Sequence, residues 1–137
     1  MTTPARVTLV AVIVTALVAA VALGWEESVD AQRVIDNARS MTSGGDPSAG
    51  RELLVQYGCG SCHVIPGVPG ARGAVGPPLG TIAERAFVGG VLPHNPENLM
   101  RWIENPQGID SLTAMPTLGV SRNESRHMAA YLYTLGK

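Results

Sequence analysis

Val7 to Gly24 reads VTLVAVIVTALVAAVALG, eighteen residues without a charge. No other stretch limits the fold as strongly. As a helix it rises roughly 27 Å, close to the roughly 30 Å of a bilayer's hydrocarbon layer. One positive charge, Arg6, precedes the run, and Glu26 and Glu27 follow it. Positive charge marks the cytoplasmic flank. Residues 1–6 are therefore expected inside, and the bulk of the chain on the periplasmic side of a bacterial inner membrane. Ala20-Val21-Ala22 would suit signal cleavage, but the run is longer than the roughly 7–15 residues of a signal core. The expectation is a retained single-pass anchor over 7–24. An anchor and a signal both imply export.

What remains of the 137 residues is one domain in length. It contains the single Phe of the chain, so aromatic packing is scarce and a large bound group would help fill the interior. Ten Lys and Arg stand against eleven Asp and Glu, for a formal net charge of −1. Neither a basic stripe for nucleic acid nor a lysine run for steering toward an acidic partner is present.

Trp25 follows the span where interfacial aromatics sit. Residues 25–45 read as a stalk: Glu26 to Ser43 can continue the helix, and Thr42-Ser43-Gly44-Gly45 reads as a flexible joint. The globular domain is expected over 46–137. Asp46 and Pro47 open a first helix, Ser48 to Tyr57, which Gly58 stops. Gly58 to Gly80 is a long Gly/Pro-rich loop, of the kind that is usually functional. Asn95-Pro96-Glu97 starts a second helix with Leu99, Trp102 and Ile103 on one face, ended by Pro106. Gln107 to Val120 reads as loop. Ser121 and Glu124 form a capping box for a last helix carrying Met128, Tyr131, Leu132 and Leu135. No strand alternation is visible, so the class is all-α with long loops.

Two cysteines cannot build the disulfide framework of a small secreted fold. Here they form Cys59-Gly60-Ser61-Cys62-His63, the haem attachment motif. The spacing has a physical reason. Each thiol adds to one vinyl group along a porphyrin edge, and the residue after the second cysteine falls under the iron. A thioredoxin-like pair needs a βαβ context, which is missing. A structural zinc site needs four ligands, and the motif offers three. The reading is one covalent haem c on Cys59 and Cys62, with His63 on the iron.

The second axial ligand has several candidates: Met41, Met100, Met115, Met128, His94 and His127. Met100 and Met128 continue apolar helix faces and read as core. Met41 precedes the domain, and His127 has polar neighbours. Met115, in Ala114-Met115-Pro116, is favoured on its chemistry, with His94 as its rival. A Met/His pair raises the reduction potential relative to two nitrogen ligands.

From Asp46 to Gly136 the sequence resembles a class I cytochrome c. Ala49-Gly50-Arg51-Glu52-Leu53-Leu54 is similar to that family's first helix, Gly76-Pro77-Pro78-Leu79 to its Gly-Pro-x-Leu, and Tyr131-Leu132-Tyr133-Thr134-Leu135 to its closing helix. Leu99 to Pro106 resembles the helix before the axial loop. The resemblance implies an all-α cytochrome c fold wrapped around one haem, preceded here by the transmembrane helix. It implies that the Pro77 carbonyl accepts the His63 ring N–H, that Met115 is the sixth ligand, and that Leu79 and Trp102 line the pocket. It also implies that Thr113 lies where a haem propionate can be held. Ser111-Leu112-Thr113-Ala114 departs from the usual Pro-Gly-x-Lys. Gly76 to Pro106, with Glu84-Arg85 and Gly89-Gly90-Val91-Leu92-Pro93, further resembles the cytochrome c domain fused to subunit II of some bacterial haem–copper oxidases. In such domains an arginine at the place of Arg85 can meet a propionate.

The resulting expectation is an electron carrier of a respiratory chain, a membrane protein whose partners are respiratory complex subunits, above all a terminal oxidase. It is not an enzyme, and it takes no small-molecule substrate and no nucleic acid. A subunit of a quinol-oxidising complex is the nearest rival. A haem enzyme or sensor with a displaceable Met115, and a structural haem subunit, are the others.

Overall fold

The structure, a computed structural model, describes residues 4–136. Residues 1–3 of the expected cytoplasmic terminus, and Lys137, lie outside the described residues. The chain divides into two compact units after Val34.

Helix α1 runs Pro4–Met41. Its proline sits at the first turn, where the missing N–H costs nothing. Within the first unit its large apolar side chains point outward, from Ile13 at 50% exposure to Val21 at 71%. A helix that is apolar all round needs an apolar surrounding. Thr8 and Thr15 donate their hydroxyls to the carbonyls of Pro4 and Ala11, at 3.1 and 2.9 Å, so these polar groups are satisfied within the helix. Among the described residues, α1 is the one helix long and apolar enough to cross a membrane.

The second unit is mostly helical. It begins with the end of α1, where Ala38 and Thr42 are buried. The expected flexible joint is a hydrogen-bonded turn. Gly44 N–H donates to the Arg39 carbonyl at 2.8 Å. Gly45 is held so closely that a Cβ there would come within 2.5 Å of the Arg126 carbonyl oxygen.

Helix α2 spans Pro47–Gln56, with Asp46 accepting from Ser48 N–H. Helix α3 spans Pro96–Glu104 behind its Asn95 cap, and buries Leu99, Met100, Trp102 and Ile103. Pro106 ends α3 and at once opens a short helix α4, Pro106–Ile109, inside what the sequence presented as loop. Asn105 explains it: its side chain accepts from Gly108 N–H at 3.0 Å, so one residue closes α3 and caps α4. Helix α5, Arg122–Tyr133, opens on the complete capping box of Ser121 and Glu124. Leu135 lies beyond its end.

Helices α2 and α5 make the closest crossing. A Cβ on Gly50 would overlap the His127 carbonyl. The Asp46 N–H donates to His127 Nδ1 at 2.8 Å, tying the start of α2 to α5. Glu104 on α3 accepts from Ser125 at 2.6 Å and from Arg122 at 3.0 Å, latching α3 to α5.

Two short strands, β1 (Phe87–Val88) and β2 (Leu92–Pro93), form an antiparallel ribbon that the sequence reading left out. Strands of two residues are too short to show alternation. Their turn is made by Gly89 and Gly90, at φ of 59° and 78°, a region that glycine enters without strain.

Candidate functional site

Gly58, at φ 68°, stops α2 and turns the chain into a 3₁₀ turn over Cys59–Ser61. His63 N–H donates to the Cys59 carbonyl at 3.0 Å, which folds the motif into one compact turn. The Gly/Pro-rich loop then runs back over it. Gly73 N–H reaches the Gly60 carbonyl at 3.0 Å, Gly76 N–H the Cys62 carbonyl at 2.8 Å, and Leu79 N–H the Val64 carbonyl at 2.8 Å. The loop is itself pinned to the helices. Tyr131 donates to the Pro66 carbonyl at 2.7 Å, and Arg51 Nε to the Gly67 carbonyl at 2.6 Å. The loop thus wraps the motif, with its backbone polar groups used for the purpose.

Beside this turn lies a predominantly apolar cavity of about 430 Å³, within the usual range for a small-molecule or cofactor pocket. Cys59, Cys62 and His63 line it from the motif. Pro77, Leu79 and Arg85 line it from the following loop, Trp102 from α3, and Thr113 and Met115 from the loop before α5. All nine side chains singled out from the sequence therefore meet at one cavity.

His63 Nδ1 stands 2.8 Å from the Pro77 carbonyl oxygen. A carbonyl can only accept, so Nδ1 carries the proton and Nε2 keeps its lone pair. Gly76 has no side chain because a Cβ there would run into the His63 ring. The next carbonyl, that of Pro78, accepts from Arg85. Two consecutive prolines thus hold one imidazole and one guanidinium through successive carbonyls.

Both thiols are free, and burial pushes the Cys59 thiol up from its ordinary range, keeping it protonated. The Thr113 hydroxyl accepts from Met115 N–H at 3.3 Å, which shapes the loop carrying the thioether. Asp110 steadies the same loop through Leu112 N–H at 3.0 Å.

The competing ligands separate. His94 and His127 do not line the cavity; His94 Nε2 pairs with Tyr133 Oη at 2.9 Å, and His127 Nδ1 is taken by Asp46 N–H. Met100 is buried away from the cavity, and Met41 lies at the end of α1. Met128 is both core and cavity wall, at 0% exposure. Two thioethers therefore border the site, one fixed on α5 and one on a loop. The sequence reading placed Met128 in the core alone, since a helical stripe does not reveal which buried residues face a hollow. Gly89, Gly90 and Phe87 of the ribbon were missed as wall residues for the same reason.

Among the described residues, no three or more His, Cys, Asp or Glu side chains gather into a metal site. The donor set is one imidazole, two thioethers and a thiol pair spaced along a wall. It suits a metal that brings its own equatorial ligands, as haem does, with two thiols on the same wall. The residues fit haem c.

Among curated proteins the chain is similar to cytochrome c oxidase subunit 2 of Alkalihalophilus pseudofirmus, at 33% identity over 87 residues. The match covers 63% of this chain and 25% of that protein, so the chain spans about a quarter of that relative's length. It supports the resemblance to a subunit of a haem–copper oxidase. No family model matches the chain. No solved structure matches it.

Proposed function

We propose that this chain is a membrane-anchored monohaem cytochrome c of the class I fold, carrying single electrons in a respiratory chain to a terminal haem–copper oxidase. One observation carries the reading. Cys59, Cys62, His63 and Met115 line a single apolar cavity, and Pro77 sets the His63 tautomer so that Nε2 is the free donor. Haem c, when bound, supplies a one-electron iron couple. The chain's own residues do the rest. Cys59 and Cys62 attach the group through thioethers. His63 offers a pre-oriented imidazole and Met115 a thioether, a pairing that favours the reduced state. Leu79, Trp102 and their apolar neighbours keep water away. Arg85 and Thr113 provide a charge and a hydroxyl for the acidic edge of the group. His63 and Met115 would together hold the group and leave it no open position for a substrate, which supports an electron carrier of an oxidoreductase complex.

The apolar part of α1 supports an anchor in the bacterial inner membrane, and Arg6 ahead of it supports a domain on the outer face. The likeness to an oxidase subunit supports the partner.

The test is purification from gently solubilised native membranes, with reduced-minus-oxidised visible spectra. Haem c together with a-type haem and copper is the expected result. Haem c with b-type haem and no oxidase would move the chain to the quinol-oxidising side. A protein with no covalent haem would end the reading.

A further inference from the structure

Among the described residues, one buried side-chain nitrogen or oxygen lacks a hydrogen-bond partner: Nδ1 of His94. Buried polar atoms are nearly always paired, so an orphan needs an explanation. The His94 backbone N–H donates to the Ala86 carbonyl at 2.9 Å. Ala86 sits between Arg85 and Phe87, both of which line the cavity. The backbone of His94 is therefore tied to the residue between two that line the cavity.

The other ring nitrogen, Nε2, meets Tyr133 Oη at 2.9 Å, with the two rings edge to face at 5.7 Å. Burial pushes the Tyr133 phenol up to about 12, so it stays protonated through the physiological range. A phenol both donates and accepts. Tyr133 can donate to Nε2 of a neutral imidazole, and can turn to accept from the same nitrogen once the imidazole is charged. Among the described residues, the charged group that acts on His94 is Arg85, from the segment before β1. Burial first, and Arg85 second, hold the imidazole below its ordinary range. Arg85 also lines the cavity, so one guanidinium is shared electrostatically between the cavity and His94. Negative charge arriving in the cavity offsets Arg85 and removes part of what keeps His94 neutral.

We propose that His94, backed by Tyr133, is a proton-binding site coupled to the redox state of the cavity. This rests on the haem reading given above. When a one-electron donor reduces the bound group, His94 takes one proton from bulk water at its ring. When the electron leaves, the proton returns to water. The chain then moves a proton on and off its surface with each electron it passes.

The experiment uses the full-length protein in detergent. A pyridine haemochrome spectrum of the denatured protein first reports covalent haem c, and its absence defeats the functional reading independently of this one. With haem present, the midpoint potential is titrated from pH 5 to pH 9 for wild type, His94→Gln and Tyr133→Phe. The wild-type potential is expected to fall with rising pH between two flat limits. His94→Gln is expected to flatten that fall. Tyr133→Phe is expected to keep the fall and move its position on the pH axis. In parallel, NMR titration of the His94 ring in wild type is expected to show tighter proton binding in the reduced state. This second readout stands if His94→Gln fails to fold. A wild-type potential independent of pH, a slope unchanged in His94→Gln, or an identical His94 titration in both oxidation states would each overturn the proposal.

Discussion

From Ile13 to Val21 the apolar side chains of α1 are half exposed or more, while in the second unit Met128, Ala129 and Ala130 are wholly buried. Both regions are rich in small and aliphatic residues, and they solve opposite problems. The uncharged span in the first unit is apolar all round and closes its Thr8 and Thr15 hydroxyls within the helix, the pattern of a segment whose solvent is lipid. The second unit turns one face of each helix inward and leaves a hollow where their apolar faces meet. Apolar surface thus has two settings in this chain, an outward-facing span and the lining of a hollow, which the proposed function assigns to a bilayer and a haem. The difference is that the hollow is bordered by chosen donors (thiols, an imidazole and thioethers) and the span is not.

The sharpest way to break that comparison is to remove the donors and leave the span. Cys59→Ala with Cys62→Ala is expected to abolish covalent haem, read as loss of haem stain on a denaturing gel. The protein should still fractionate with membranes. The reverse experiment is nearly as large. Each arginine at the centre of the span costs about 2.5–3.5 kcal/mol of insertion. Val14→Arg with Leu17→Arg should deplete the protein from the membrane fraction, read by fractionation and immunoblot.

A smaller effect separates the two thioethers. Met128→Ala removes a fully buried side chain and is expected to cost about 2–5 kcal/mol, read by thermal melting, with axial ligation kept. Met115→Ala should do the opposite. It should cost little stability, lose the sulfur–iron absorption signature and let the reduced protein bind carbon monoxide. If Met128→Ala opens the iron instead, the two roles are exchanged.

The smallest effect is a pH dependence of stability confined to the second unit. His94 is held below its unfolded value by burial and by Arg85. The unfolded chain therefore binds more protons than the folded one just below its own value of about 6.5. The stability linked to His94 is complete above that pH and is lost as pH falls through the lower folded value. Denaturant titrations from pH 7.5 to pH 5 should show a decline that is reduced in His94→Gln. An undiminished decline would assign it to other groups.

Much of the second unit was legible because its signals are local. Asp46 with Pro47, Asn95 with Pro96, and Ser121 with Glu124 each complete their caps within a few residues, and each opens the helix it marks. Helix α4 was hidden because Asn105 serves two helices at once, and the ribbon because its strands are two residues long. At the site, the motif and the Gly-Pro-Pro-Leu segment were readable since residue type and spacing suffice for them. The bond from Arg85 to the Pro78 carbonyl was not, since nothing in the sequence says which of two carbonyls a guanidinium will choose.

The sequence by itself determined the uncharged span, the helix starts, and the adjacency of two thiols and an imidazole. All of these are set by neighbours along the chain, through rise per residue, capping and covalent spacing. Only the tertiary structure decided that residues from the motif, the proline segment, α3, α5 and the loop before α5 border one cavity. It alone decided that Met128 lines that cavity, and that His94 pairs with Tyr133 and keeps one nitrogen unpaired. Those juxtapositions join residues tens of positions apart. They depend on how closely helices cross, as at Gly50 against His127, and a packing distance of that kind is a property of two surfaces together.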